Sequence, residues 1–101
     1  MMLFAIRDEL SRSDVEAALG VRFEAQGSLY IGDHWLAALP ASEGKLRIRS
    51  NRDPLWRPGD DPDERFAFPA HSEHQLVMEV EGETPDVVEK LRHLPALQLL
   101  G

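Results

Sequence analysis

Lys45-Leu46-Arg47-Ile48-Arg49 alternates cations with branched aliphatic residues, and no other stretch states its conformation so plainly. A period of two places Leu46 and Ile48 on one side of an extended chain and the three cations on the other. A strand with one apolar face belongs to an antiparallel sheet packed on one side. Reading backwards, Leu29 to Leu39 is rich in aromatic and branched residues and stops at Pro40. It predicts a strand with Gly32 as a bulge or close-packing point, Trp35 in the core, and a Pro40–Gly44 turn leading into the strand at Lys45–Arg49. Val21-Arg22-Phe23-Glu24-Ala25 alternates again and predicts a strand, closed by a turn at Gly27-Ser28. Ser13-Asp14-Val15-Glu16 has the form of a capping box and Gly20 suits a left-handed C-cap, so a helix is expected from about Asp14 to Leu19. Leu3-Phe4-Ala5-Ile6 reads as a buried first strand.

Reading forwards, residues 52–74 hold four of the seven prolines and five acids between Asp53 and Glu64. Regular structure lapses in such a segment, and a loop this long in a small domain usually carries function or moves. Phe66 and Phe68 are expected to pin part of it to the core. Gln75 to Glu81 returns to a strand. Thr84-Pro85-Asp86 opens a second helix, with Thr at the N-cap, Pro at the first helical position, and Val87, Val88, Leu91 and Leu94 on one face. Pro95 ends it, and Ala96 to Leu100 forms a closing strand or a short docking turn. The fold class expected is α+β: a single domain over 1–101, with one antiparallel or mixed sheet of five to six strands. Two helices cover one face of the sheet and leave the other wet.

The 101 residues include 18 Asp and Glu against 11 Lys and Arg, a formal charge of −7. An average field of that sign repels phosphate backbones, so no nucleic-acid partner is expected. The absence of cysteine excludes disulfides, thiolate zinc sites and a cysteine nucleophile. Apolar runs are short, as at Trp35–Leu39, and fall far below the ~20 residues needed to span a bilayer. The N-terminus lacks the pattern of a signal peptide. A cytoplasmic protein with no membrane partner is the expectation.

Charge is uneven along the chain. Lys45 to Arg57 contains five bases and one acid, whereas Asp60 to Glu89 contains ten acids and one base. Arg47 and Arg49 facing Glu79 and Glu81 across neighbouring strands would absorb part of the imbalance. They cannot absorb Asp60, Asp61, Asp63, Glu64, Glu73, Glu83 and Asp86, so an acidic surface remains. Trp56, in Pro54-Leu55-Trp56-Arg57-Pro58-Gly59, is either an interface anchor or a lid folded back on the core. The candidate partner-binding residues are therefore Trp56, Asp60, Asp61, Asp63, Glu64 and Glu73.

Other chemistries find little support. His71 and His74 stand three apart and suggest a divalent cation, but no third ligand has a recognised spacing. Asp60-Asp61-Pro62-Asp63-Glu64 lacks the alternation and glycine of a calcium loop. Asp33 and His34 point to opposite faces of a strand and cannot form a dyad. No glycine-rich phosphate loop or nucleophile elbow is present. Neither catalysis, a cofactor nor a bound metal is expected; the alternative is a small ligand- or metal-binding domain built on the 52–74 loop and its histidines.

In size, acidity and element order the chain resembles the small acidic immunity proteins of bacterial toxin systems. The resemblance runs through the strand ending at Asn51, the proline- and acid-rich loop, the strand Leu76 to Val80 and the terminal helix opening Thr84-Pro85-Asp86. It implies inhibition by occlusion, in which an acidic surface covers the basic cleft of a toxin, often a nuclease. No residue role comes with it. The implied partner is a basic protein such as a bacterial toxin, bound by a monomer or a homodimer.

Overall fold

The alternation at 45–50 is the centre of a six-stranded sheet. In the computed structural model, which describes residues 1–40, 43–82 and 84–101, the elements run β1 (Met2–Ile6), α1 (Arg12–Leu19), β2 (Glu24–Gln26), β3 (His34–Ala38), β4 (Lys45–Ser50), β5 (Leu76–Glu81), α2 (Pro85–Arg92) and β6 (Leu97–Leu99). Single 3-10 turns lie at Glu9–Ser11, Pro62–Arg65 and Pro69–His71. Residues 41 and 42 of the expected Pro40–Gly44 turn, and the acid Glu83, lie outside the described residues.

The strands are ordered β2-β3-β4-β5-β1-β6, with every neighbouring pair antiparallel. This is the α+β fold with a single sheet, and the closing segment is a strand, β6, on the edge of β1. Strands β1 and β2 run parallel, β2 at one edge of the sheet and β1 next to the other, as do β5 and β6 on either side of β1. Each pair is joined through a helix, and this connectivity brings both helices to one face.

Register fixes which side chains share that face. Phe4, Met78, Ile48 and Trp35 stand in one row across β1, β5, β4 and β3; Met2, Val80, Leu46 and Ala37 form the next. Val15 of α1 and Leu91 of α2 close on these rows as members of one buried cluster. Leu46, Ile48, Met78, Val80, Val15 and Leu91 are each at most 1% exposed. Burial of each such side chain contributes about 1.5–3 kcal/mol.

Several local expectations are corrected. The first helix begins earlier than Asp14 because Asp8 caps the preceding turn, accepting from the Ser11 amide at 2.9 Å and the Ser11 hydroxyl at 3.0 Å. Ser13 therefore lies inside the helix and bonds the Leu10 carbonyl, and Glu16 accepts from the Phe23 amide at 2.8 Å instead of closing a capping box. With that amide held, the strand expected at 21–25 starts only at Glu24. The strand expected from Leu29 starts at His34, because Gly32 takes φ +81° in a turn closed by its own amide on Ser28 O. Gly32 is thus no bulge, and Leu29 and Tyr30 are exposed. The two helix-end signals held: Gly20 adopts φ 66°, and the Thr84 hydroxyl accepts from Val87 N at 3.4 Å behind Pro85.

The second face of the sheet is not wholly wet. Leu3, Ala5, Val77 and Glu79 point away from the helices by register, yet all are buried. The second half of the 52–74 segment lies beside them, with Ala67, Phe68 and His71 sharing a hollow with Leu3. The end carrying Lys45, Ala38 and Glu81 is exposed as expected, as are Glu24 and Gln26 of β2 and Gln98 of β6.

Candidate functional site

The 52–74 segment is built from two parts with different fastenings. Its foot is Asn51, the residue after β4, whose side chain is 1% exposed. Asn51 Nδ2 donates to the carbonyls of His71 (2.9 Å), His74 (3.0 Å) and Phe68 (3.5 Å), and Asn51 Oδ1 accepts from Phe68 N (2.9 Å). Main-chain bonds from Asn51 N to Gln75 O and from Ala67 N to Asn51 O complete the hub. One amide thus does for residues 66–75 what a sheet ladder does for a strand. Phe66 and Phe68 are half-buried and lie outside the apolar core cluster. The expectation that they pin the loop to the core is replaced by this polar hub.

The second part is the outer loop 53–65, closed at its base by a bond from Asp53 N to Arg65 O at 2.8 Å. Its own groups hold its shape. Asp53 Oδ1 accepts from Leu55 N, Asp60 Oδ2 from Arg57 N, and Asp61 Oδ1 from Asp63 N, where Pro62 begins a 3-10 turn. The first and third are the Asx turns favoured by Asp in a polar loop, and the second bond runs back from residue 60 to residue 57. Trp56 is half-buried but outside the core cluster, and its Nε1 donates to Asp61 O at 2.9 Å. It is therefore neither a lid on the core nor a free-standing anchor: its N–H is used inside the loop and part of its ring remains accessible.

Trp56, Asp60, Asp61, Asp63 and Glu64 are thereby brought onto one loop, and the four acids are all exposed. Within the described residues none of the four has an ion-pair partner within 4 Å. Two of the nearby cations, Arg52 and Arg65, are turned to other work, while Arg57 is exposed on the same loop without an ion pair among the described residues. Arg65 Nε donates to Pro62 O, and the guanidinium groups of Arg52 and Arg65 lie over the Phe66 ring, 4.9 and 5.4 Å from its centroid. Glu73 is separate. It lies on the other limb, past the hub, exposed and 3.4 Å from His74 Nε2.

The balancing of Arg47 and Arg49 is narrower than expected. Arg47 Nη1 donates to Glu79 Oε2 at 2.9 Å and Arg49 Nη1 lies 3.9 Å from Glu79 Oε1, so one buried carboxylate serves both. Both arginines are half-sheltered instead of outward in water. Glu81 stands opposite Lys45.

His71 and His74 contribute main-chain carbonyls to the Asn51 hub, and no cluster of three metal-ligating side chains occurs among the described residues. His34 is buried with Nδ1 3.0 Å from Gly32 O, while Asp33 is exposed.

Sequence reasoning missed Asn51, which looks like any strand-end asparagine until its four partners are placed around it. It also missed a cleft of about 740 Å³ at the end of the sheet, lined by Trp35, Ile48 and Leu76 from the sheet and by Ile31, Gly32 and Pro54 from two loops. Trp35 is thus a rim residue: half-buried against the core, with the Arg12 guanidinium 3.9 Å above its ring. No helix among the described residues is long and apolar enough to cross a membrane. No family model, curated protein or solved structure matches the chain.

Proposed function

We propose that this chain is a non-enzymatic protein-binding inhibitor of the immunity type, which neutralises a basic partner such as a bacterial toxin by covering its cationic active site. One observation carries the reading: Asp60, Asp61, Asp63 and Glu64 stand exposed on a self-braced loop, without an ion pair among the described residues. Unneutralised carboxylates speed encounter with an opposite surface and substitute for the anions that surface normally binds. The hydrogen bonds that Arg57 N and Asp63 N donate to Asp60 and Asp61 hold two of the four carboxylates in place before contact, which lowers the ordering cost of association. The accessible part of the Trp56 ring adds apolar contact area at their edge, and Glu73 adds charge on the flanking limb.

The test begins with capture of partners from the native cell at low salt and their identification by mass spectrometry. Association kinetics of the purified pair follow. The expected on-rate falls about tenfold or more between low and high salt. It falls similarly when Asp60, Asp61 and Asp63 are changed to Asn and Glu64 to Gln, and Trp56→Ala speeds dissociation. A partner that is itself acidic, or one whose on-rate ignores both salt and the four substitutions, overturns the proposal.

A further inference from the structure

We infer that the free edge of β6 pairs with the same edge of a second copy of this chain, joining two sheets into one about a two-fold axis at Gln98. The contact lies away from the acidic loop and does not depend on it.

Main-chain bonds fix which atoms of β6 point outward. Arg7 N donates to Ala96 O at 3.1 Å and Leu100 N donates to Leu3 O at 2.8 Å, and between them Ile6 stands opposite Leu97 and Phe4 opposite Leu99. Inward and outward groups alternate along an antiparallel edge. Ala96, Gln98 and Leu100 therefore turn their main-chain groups toward β1, and Leu97 and Leu99 turn theirs away. Leu97 N is used by Leu94 O at 3.1 Å. Leu97 O, Leu99 N and Leu99 O have no partner among the described residues, since β6 is the last strand of the sheet. Such a row is a template for another extended strand.

The side chains select a copy of this chain as that strand. No Asp, Glu, Lys or Arg stands between Leu94 and Gly101. At the other edge of the sheet, β2 carries exposed Glu24 and is preceded by exposed Arg22, charges of the kind that guard a sheet edge. The β6 edge lacks them, and Pro95, without an N–H, ends the pairing on one side. Antiparallel pairing of the outward residues sets Leu97 against Leu99 of the second copy, Leu99 against its Leu97, and Gln98 against its Gln98. The leucines share the helix face with Phe4 and Ile6, where Leu99 is 43% exposed, and exposed Gln98 shares the second face with Ala5. Two Leu–Leu pairs are favourable cross-strand neighbours, and two carboxamides at the axis each donate and accept. Helix α2, which packs beside β6, carries Asp86, Glu89, Lys90 and Arg92, so no single sign of charge confronts its counterpart.

The experiment is sedimentation equilibrium of the purified full chain, alone, from about 10 µM to about 1 mM. An edge of three residues is a small contact, so half of the chain is expected to be dimeric at about 100 µM. Each copy carries −7, so the dimer strengthens about twofold from low to high salt, whereas encounter through the acidic loop weakens. Gln98→Lys and Gln98→Glu each weaken the dimer about fivefold by setting like charges opposite at the axis, and an equimolar mixture of the two restores it. Leu99→Pro removes an outward N–H, leaves the bonds to β1 in place and abolishes the dimer. Circular dichroism checks that each variant is folded, and the Gln98 exchange, at an exposed position, decides even where Leu99→Pro does not fold.

Changing the four loop acids to amides leaves the dimer in place, so the dimer stands even where the loop reading fails. A chain still monomeric at about 1 mM overturns the inference and leaves the edge to a strand of another protein. A dimer indifferent to folded Leu99→Pro, or one that the mixture of Gln98 variants does not restore, overturns it as well.

Discussion

The two faces of the sheet are closed by different physics. On one, two amphipathic helices press a continuous apolar cluster from Phe4 to Leu91 onto the strands. On the other, an irregular segment is tied down by hydrogen bonds converging on Asn51, above an ion pair that shares the Glu79 carboxylate between two arginines. Apolar burial is non-directional and spread over many residues, so the first face tolerates modest change anywhere. A hydrogen-bonded hub is directional and concentrated, so the second face depends on very few atoms. The limb carrying Glu73 depends on that hub, whereas the acidic loop is braced by its own bonds, with Asp53 N on Arg65 O at its base.

Truncation at the centre of the first face has the largest expected effect. Leu46→Ala removes a side chain that is 0% exposed and destabilises the chain by about 3 kcal/mol in chemical denaturation, through lost burial and a residual cavity. Asn51→Ala comes next, at about 2 kcal/mol, because it leaves Phe68 N and the carbonyls of His71 and His74 without their partner. Its second signature is local: amide exchange at Phe68 accelerates far more than exchange at Ile48. If Asn51→Ala costs under ~0.5 kcal/mol, the contrast between the faces fails.

The ion pair is expected to matter less than the hub. Glu79→Gln leaves Arg47 and Arg49 without a counter-charge, but their side chains are 22% and 11% exposed and retain some water. A loss of about 1–2 kcal/mol follows. The Arg47 Nε atom, buried without a hydrogen-bond partner, gains nothing from the change. A stabilised Glu79→Gln variant would mean that the pair's desolvation outweighs its attraction, and that the second face rests on the hub alone.

This contrast also explains what was legible in the sequence. Leu46 and Ile48 announced the packed face because burial on one side of a strand imposes a period of two, and Thr84-Pro85 and Gly20 announced helix ends because few residues satisfy those positions. The 29–33 turn was misread because Leu29, Tyr30 and Ile31 have strand composition, while Gly32 φ and its hydrogen bond to Ser28 are set by closure of the β2–β3 hairpin. Asn51 was invisible because its partners lie 17 to 23 residues away and are main-chain atoms, which leave no mark on composition. The acidic loop was found from charge alone. The end cleft was not, because it assembles residues from Glu9 to Leu76, and no local pattern encodes that meeting.

The smallest effect separates a helix end from both faces. Asp8 is held below its ordinary value near 3.8 chiefly by the Ser11 hydroxyl; desolvation, next in size, opposes this, and the Ser11 amide, the Arg7 charge and the Leu10 backbone add to the lowering. A carboxyl with a depressed folded-state pKa contributes stability above its unfolded pKa and loses it as pH falls through the folded value. Asp8→Asn is therefore expected to be slightly less stable than the parent at neutral pH, with the difference closing below about pH 4 as the parent carboxyl becomes protonated. Thermal melts of both chains between neutral and acid pH measure this directly. Because the bonds lie within one turn before α1, neither the Asn51 hub nor the Leu46 core should respond. A difference that stays constant into acid would instead assign the role of Asp8 to hydrogen-bond geometry that Asn does not reproduce, and would remove charge from the account of how α1 begins.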